Sequence, residues 1–124
     1  MKITKHFSYE EMHCHDGTVY PMIWLSRLSA LCYALEVVRA VTGLTLTLNS
    51  VYRTSTYNKR IGGARNSQHK LGMAADFKLK GISPKRLFPI LDRFQRLGVL
   101  PKGGLHAYKT FVHIDIEGSR LRRW

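Results

Sequence analysis

Hydrophobic and polar residues follow two different periods in the first half of the chain. After Pro21, apolar residues recur at every third or fourth position until Gly43, which is the spacing of one buried helix face. The apolar positions of this helix are Leu25, Leu28, Leu31, Cys32, Leu35 and Val38. Leucine and threonine then alternate from Leu44 to Ser50, which predicts a strand with one buried face.

Two shorter segments around this pair give weaker signals. Ser8 and Glu11 have the spacing of a capping box, in which each side chain satisfies a backbone N–H group of the other residue. This spacing predicts a short helix over about residues 9–13. Residues 51–68 carry no sustained period and are predicted to be irregular or briefly helical.

The second half predicts two further strands and one further helix. Met73–Leu79 and Phe111–Ile116 have the composition of strands, whereas Ser83-Pro84 is typical of a helix start. That helix ends before Gly98, and its apolar positions are Leu87, Ile90, Leu91 and Phe94. The order helix, strand, strand, helix, strand predicts an α+β fold, with a small and mostly antiparallel sheet packed against helices.

The length of the chain limits its organisation. With 124 residues there is room for one hydrophobic core, so residues 1–124 are predicted to form a single domain and to be monomeric. No apolar run approaches the roughly 18 residues needed to cross a bilayer, and no signal peptide is recognisable. We therefore expect a cytoplasmic protein; an exported enzyme whose signal was removed is the alternative. Cys14 and Cys32 are expected to be free thiols.

The net charge of +12, from 20 Lys and Arg against 8 Asp and Glu, indicates a polyanionic partner: nucleic acid, anionic lipid or an anionic cell wall. No helix-turn-helix, zinc finger or aromatic RNA-binding motif accompanies this charge, which argues against nucleic acid. The ending Arg120–Trp124 is expected either to contact an anionic surface or to cover the core through Trp124.

Candidate metal ligands are found in the second half of the chain. His69 lies in a predicted loop and Asp76 follows seven residues later on a predicted strand, with the small residues Gly72 and Ala74 between them. If His113 on the last strand is the third ligand, two imidazoles and one carboxylate would leave a fourth zinc position for water. Such an open position is typical of a catalytic zinc. For each residue alone, the alternative is a side chain satisfied by a core hydrogen bond.

The segment around His69 resembles a known family. The motif S-x-H-x-x-G-x-A-x-D of the zinc D-Ala-D-Ala carboxypeptidases and related peptidoglycan endopeptidases is matched at Ser67, His69, Gly72, Ala74 and Asp76. The fold of this family is shared with the hedgehog signalling domain. The similarity extends to the tyrosine-arginine pair at 52–53, to the last strand, F-V-H-x-D, and to the Arg-x-Trp-like ending, and so covers nearly the whole chain.

The resemblance implies one zinc ion per chain, held by His69, Asp76 and His113, in an enzyme that cuts stem peptides of peptidoglycan. We expect a carboxypeptidase or endopeptidase from a phage or prophage lysis system, made in the cytoplasm and acting on the periplasmic cell wall after release. The alternative is a non-catalytic zinc module of the same fold that binds the cell wall or a protein partner.

Two residues are candidates for contact with substrate. Arg53 could pair with a substrate carboxylate or with the developing oxyanion through parallel hydrogen bonds, unless it has a structural role. Ser67 could hydrogen-bond substrate, unless it caps a backbone N–H group.

The general base departs from the family pattern. Many relatives have an acidic residue three positions before the last histidine ligand, where this chain has Thr110. Asp115 is the first candidate, because residues two apart on a strand share a face and Asp115 would lie beside His113. His106, in the preceding predicted loop, is the second. Asp115 could instead orient the imidazole of His113, which would leave the base to another group.

Overall fold

The computed structural model describes all residues from Met1 to Trp124. Its strands are β1 (Lys2–Thr4), β2 (Phe7–Ser8), β3 (Leu46–Ser50), β4 (Ala74–Leu79), β5 (Leu105–Ala107) and β6 (Val112–Asp115). Its α-helices are α1 (Leu25–Thr42), α2 (Ser55–Arg60) and α3 (Pro84–Arg96), and 3₁₀ turns cover Tyr9–Met12, Met22–Trp24 and Gln68–Leu71. The predicted α+β class is confirmed. None of the helices combines the length and the apolar character that a membrane span requires.

Four of the strands form one antiparallel sheet in the order β3-β4-β6-β5, while β1 and β2 form a separate hairpin. One face of the sheet lies on the hydrophobic core through Ala75, Phe77, Val112 and Ile114. Because successive strand residues point to opposite faces, the residues between them lie on the other face. That second face carries the candidate ligands.

The helices α1 and α3 pack on the core largely as their periodicity predicts. Leu28, Leu31, Cys32, Leu35 and Val38 of α1 are buried. In α3, Leu87 and Leu91 are buried. Leu25 and Ile90 belong to the predicted apolar faces but are exposed.

Both exceptions have a local explanation. Leu25 is the first residue of α1, so its side chain lies one turn before the core contacts begin. On α3, the buried residues are four apart, Leu87, Leu91 and Gln95, so Ile90 lies to one side of the buried stripe. Gln95 is fully buried and donates to the carbonyl of Pro101.

Several element boundaries differ from the prediction. The segment after Ser8 is a 3₁₀ turn, not an α-helix, although the Glu11 carboxylate accepts hydrogen bonds from Ser8 as the capping box requires. The segment 51–68 contains α2. β5 was not predicted at all, because three residues are too few to show an alternating pattern. His106 therefore lies on a strand and not in a loop. Both cysteines are free and buried.

Candidate active site

The register of the sheet aligns four polar side chains across its second face. Ser50 of β3 pairs with Asp76 of β4 after a register shift that follows Leu48, Asp76 pairs with His113 of β6, and His113 pairs with His106 of β5. Residues directly opposite on antiparallel strands have Cβ atoms about 5 Å apart. Two of the candidate ligands are thus neighbours because of strand pairing alone.

His69 reaches the same place from the 3₁₀ turn that precedes β4. Its backbone N–H donates to the Ser67 hydroxyl at the start of the turn, and Gly72 ends the turn with a φ of 68°. The His69 Nδ1 lies 2.6 Å from the carbonyl oxygen of Val51. Because a carbonyl only accepts, Nδ1 carries the proton and the lone pair of Nε2 faces the cluster. That Nε2 atom is buried and makes no hydrogen bond, because its neighbour at 3.0 Å, Asp76 Oδ1, is also an acceptor.

Asp76 lies between the two histidines. Its Oδ1 is 3.0 Å from His69 Nε2 and 3.0 Å from His113 Nδ1, while its Oδ2 accepts a hydrogen bond of 2.8 Å from Arg53. Burial alone would raise the pKa of Asp76, but its close contacts with the imidazoles of His113 and His69 hold that pKa well below its usual value. The carboxylate is therefore ionised at neutral pH, as a metal ligand must be.

The residues present fit a zinc ion. One ligand atom from each of His69, Asp76 and His113 lies within 4.8 Å of the others, and all three residues are buried. Donors that share one zinc at about 2.0–2.2 Å must lie roughly 3–4 Å apart. The orphaned Nε2 of His69 supplies the independent observation, because a buried imidazole nitrogen with no partner is costly unless a ligand occupies its lone pair.

This cluster lies at an open cleft of about 570 Å³. Loop residues 61–64 and 66–68 line one part of the cleft, and the aromatic residues Tyr108, Phe111 and Trp124 line another. A polypeptide could therefore reach the three ligands from solvent, which is the access that a hydrolase needs.

The model of the peptidase M15 family matches residues 5–115 and includes all three candidate ligands. The chain belongs to this family. No curated protein matches it. The resemblance to zinc D-Ala-D-Ala peptidases is thereby confirmed, and the match supports a peptidase from a family that is zinc-dependent in general. The match ends before Arg122, Arg123 and Trp124, which nevertheless contribute to the cleft or its support.

In this M15 peptidase, Arg53 is hydrogen-bonded to the candidate ligand Asp76. Its Nε donates to the Ser50 hydroxyl, its Nη1 to the Asn58 side chain and its Nη2 to Asp76. These bonds engage three of the five guanidinium N–H groups and leave two for a substrate oxygen. Arg53 therefore supports Asp76 and also lines the cleft. The Ser67 hydroxyl likewise accepts from the backbone N–H of His69, and the residue also lines the cleft.

Asp115 is held in place by hydrogen bonds to both of its carboxylate oxygens. The side chain is fully buried, and its Oδ2 lies 3.0 Å from His113 Nε2. Its Oδ1 accepts from the Gly104 backbone N–H at 2.9 Å and from Arg122. Burial would raise the pKa of Asp115, but the hydrogen bonds from His113 and Gly104 lower it. With both oxygens engaged, the geometry favours orientation of His113 over general-base catalysis by Asp115.

His106 is less constrained by polar contacts. Its ring stacks on Trp124 with centroids 5.1 Å apart and meets Tyr108 at 4.4 Å, but no protein group hydrogen-bonds to its nitrogens. It lies opposite His113 on the same face of the sheet. Asp115 and His106 are the two candidates for the base in this M15 peptidase. Only His106 makes no hydrogen bond to another protein group through its side chain.

Asn58 is a site residue that the sequence analysis missed. It is buried, its Oδ1 accepts from Arg53 and its Nδ2 donates to the carbonyl of Ala64. A Cβ atom at Gly63 would collide with the Asn58 side chain. Asn58 thus connects the arginine that holds Asp76 to the loop that lines the cleft. The pair Gly62-Gly63 was the available signal, because a glycine is often needed where a backbone approaches another group closely.

Proposed function

We propose that this chain is a zinc-dependent peptidase that hydrolyses peptide bonds in the stem peptides of peptidoglycan. The observation that carries the proposal is the buried cluster of His69, Asp76 and His113, with its orphaned nitrogen, at an open cleft. A zinc ion held by these residues would polarise the scissile carbonyl and lower the pKa of a water molecule.

The protein's own residues would then carry the remaining work. Asp115 keeps the Nε2 proton of His113 in place, so that the Nδ1 lone pair faces the cluster. Arg53 offers its two free N–H groups to the substrate oxygen that gains negative charge. We propose that His106 accepts the proton of the attacking water at a ring nitrogen and later passes it to the leaving amine.

The substrate class is supported by the family and by the charge. Peptidoglycan stems and the associated wall polymers carry carboxylates and phosphates, which a protein of net charge +12 attracts. A carboxypeptidase would release one amino acid and an endopeptidase would release a peptide. The monomeric state, the lysis role and the site of action stay predictions.

Digestion of purified peptidoglycan tests this function. Zinc-loaded protein should release an amino acid or peptide, release should stop when a chelator removes the metal, and it should return when zinc is added back. Mass spectrometry of the soluble products identifies the bond. No release by fully zinc-loaded protein would instead support the non-catalytic module, which the lack of an acidic residue at Thr110 favours.

Salt should affect the enzyme differently on large and small substrates. The Debye length falls from about 10 Å at 0.1 M salt to about 3 Å at 1 M, so long-range attraction to the wall is screened while contacts within the site persist. We expect hydrolysis of intact walls to fall steeply with salt, and that of a small, nearly neutral stem-peptide analogue to change little. Equal salt sensitivity on both substrates would contradict a steering role for the charge.

A further inference from the structure

Arg122 and Trp124 line one side of the cleft, and Arg123 lies between them in the chain. We call Arg122–Trp124 the return segment, because its backbone runs back beside the start of β5. Arg122 forms a parallel bridge with Gly104: the Leu105 N–H donates to the Arg122 carbonyl, and the Arg122 N–H donates to the Gly103 carbonyl. The backbone of the return segment is therefore attached to the strand that carries His106.

Side chains fix the return segment further. The Arg123 guanidinium donates twice to Asp92, at 3.0 and 2.8 Å, and once to Gln95 at 2.7 Å, which ties the segment to α3. Arg122 donates to Asp115, the carboxylate that holds His113. Both Arg123 donors share one oxygen of Asp92, Oδ1, and together with the bond to Gln95 they restrict where the guanidinium lies. The residue that follows Arg123 is thus held in a defined position.

Trp124 occupies that position beside the candidate ligands. Its indole stacks on His106 with ring planes 4° apart, meets the ring of His113 at a centroid distance of 5.3 Å, and donates its Nε1–H to the Tyr108 hydroxyl at 3.2 Å. A Cβ atom at Gly104 would lie only 3.1 Å from the indole, so a glycine leaves the room that this packing needs. The expectation that Trp124 covers the core is wrong, because 55% of it is exposed.

An exposed indole held rigidly at a polar site leaves an apolar surface without a partner. His106 covers one face of the ring, and the exposed remainder lines the cleft. Tyr108 and Phe111, which stack with centroids 4.6 Å apart, line the cleft as well. Aromatic rings contribute large contact areas at low entropic cost, which suits them to recognition of apolar groups.

We propose that Trp124 is a specificity-determining residue that contacts substrate: its exposed indole packs on an apolar C–H group of the substrate residue next to the bond that is cut. This inference rests on the proposed function. Two parts of peptidoglycan offer such a group, the methyl side chain of a stem-peptide alanine and the C–H face of a sugar ring. Both present the same chemistry to the indole.

Kinetics on two defined substrates test the proposal and separate these sources. Trp124→Ala should raise KM or lower kcat/KM by about 10–100-fold, and Trp124→Phe should recover part of the loss. If the indole packs on a methyl group, Trp124→Ala should lower kcat/KM equally on a free stem peptide and on the same peptide carrying its disaccharide. If the indole packs on a sugar ring, Trp124→Ala should lower kcat/KM only on the peptide that carries the disaccharide. Zinc content should stay at one ion per chain. An unchanged KM and kcat/KM for Trp124→Ala on both substrates would overturn the proposal.

Fluorescence gives a readout that a structural role of Trp124 would not move. The chain has two tryptophans, and Trp24 packs on Tyr20 and Tyr52 and does not line the cleft. Trp24→Phe therefore leaves Trp124 as the sole tryptophan, which excitation at the red edge of the absorption band selects over the six tyrosines. This variant also serves as the matched control, with kinetics like those of the wild type. Adding stem peptide, with and without its disaccharide, to this zinc-loaded variant should change its emission saturably. No change with either ligand at concentrations above KM would overturn the contact.

Failure of the proposed function can be distinguished from failure of the proposal for Trp124. If the wild-type enzyme releases nothing from peptidoglycan, the proposed function is wrong, whatever Trp124 does. If the wild type is active and Trp124→Ala has wild-type kinetics, only the role of Trp124 is wrong. Loss of zinc from Trp124→Ala would also overturn the proposal, because Trp124 would then act through His113 and not on substrate.

Discussion

Replacing His69, Asp76 or His113 by alanine should remove the zinc ion and abolish hydrolysis. Three protein ligands contain no redundancy, and each lost ligand leaves an incomplete donor set around the metal. The loss of zinc affinity should exceed the roughly 10–100-fold that follows removal of an outer hydrogen-bond partner. Metal analysis after dialysis measures the stoichiometry, which should fall from one per chain to near zero, and peptidoglycan digestion measures the activity.

Matched controls distinguish a lost ligand from a damaged fold. His15→Ala removes an exposed histidine outside the cluster and should retain one zinc and full activity. Circular dichroism should detect any unfolding, particularly for Asp76→Ala, which leaves the largely buried Arg53 guanidinium without its carboxylate. A folded His113→Ala protein that retains one zinc per chain would contradict the ligand set.

The sequence predicted that His69, Asp76 and His113 lie together, because the determinants of their proximity are mostly local. His69 and Asp76 belong to one motif, and a glycine-terminated turn followed by a strand is enough to bring them together. His113 was reached through the strand pattern and the family resemblance. The alternation of leucine and threonine likewise predicted which face of β3 is buried, since one pleated face must lie on the core.

Other parts of the site depend on contacts that no local pattern reports. The pairing of His106 with His113 is set by the register of β5, a strand of three residues. Arg123 and Asp92 are far apart in sequence, and their ion pair follows only once α3 and the return segment are in place. The pair Gly103-Gly104 was a usable signal, because a Cβ atom at either position would collide with Asp115.

The same contacts are the reason that we propose His106, the second candidate from the sequence, ahead of Asp115 as the base. Period-two spacing on β6 does place Asp115 on the face of His113, as predicted. It cannot show that Arg122 and Gly104 both donate to Oδ1 of Asp115. A base must have a free lone pair within reach of the water that it deprotonates. No protein group hydrogen-bonds to the ring nitrogens of His106, whereas Asp115 already accepts from His113, Gly104 and Arg122; Asp115, on the other hand, lines the cleft and His106 does not.

His106→Ala should therefore lower kcat by about 10²–10⁴-fold while the protein retains one zinc ion per chain, since general-base assistance contributes a factor of that size. Asp115→Asn should behave differently. Its zinc affinity should fall by about 10–100-fold, because His113 loses the negative partner that orients its ring, and hydrolysis should return at saturating zinc. Zinc titrations and kcat measured across zinc concentrations provide both quantities for each variant.

The dependence on zinc concentration separates the two roles, because a base and an orienting residue fail at different steps. Without its base, a fully metallated enzyme stays slow however much zinc is added; without the orienting carboxylate, a shortage of bound metal limits the rate and added zinc relieves it. His106→Gln tests the base more narrowly, since glutamine keeps a polar side chain beside Trp124 but has no basic nitrogen. An Asp115→Asn enzyme that stays inactive at saturating zinc, together with an active His106→Gln enzyme, would assign the base to Asp115.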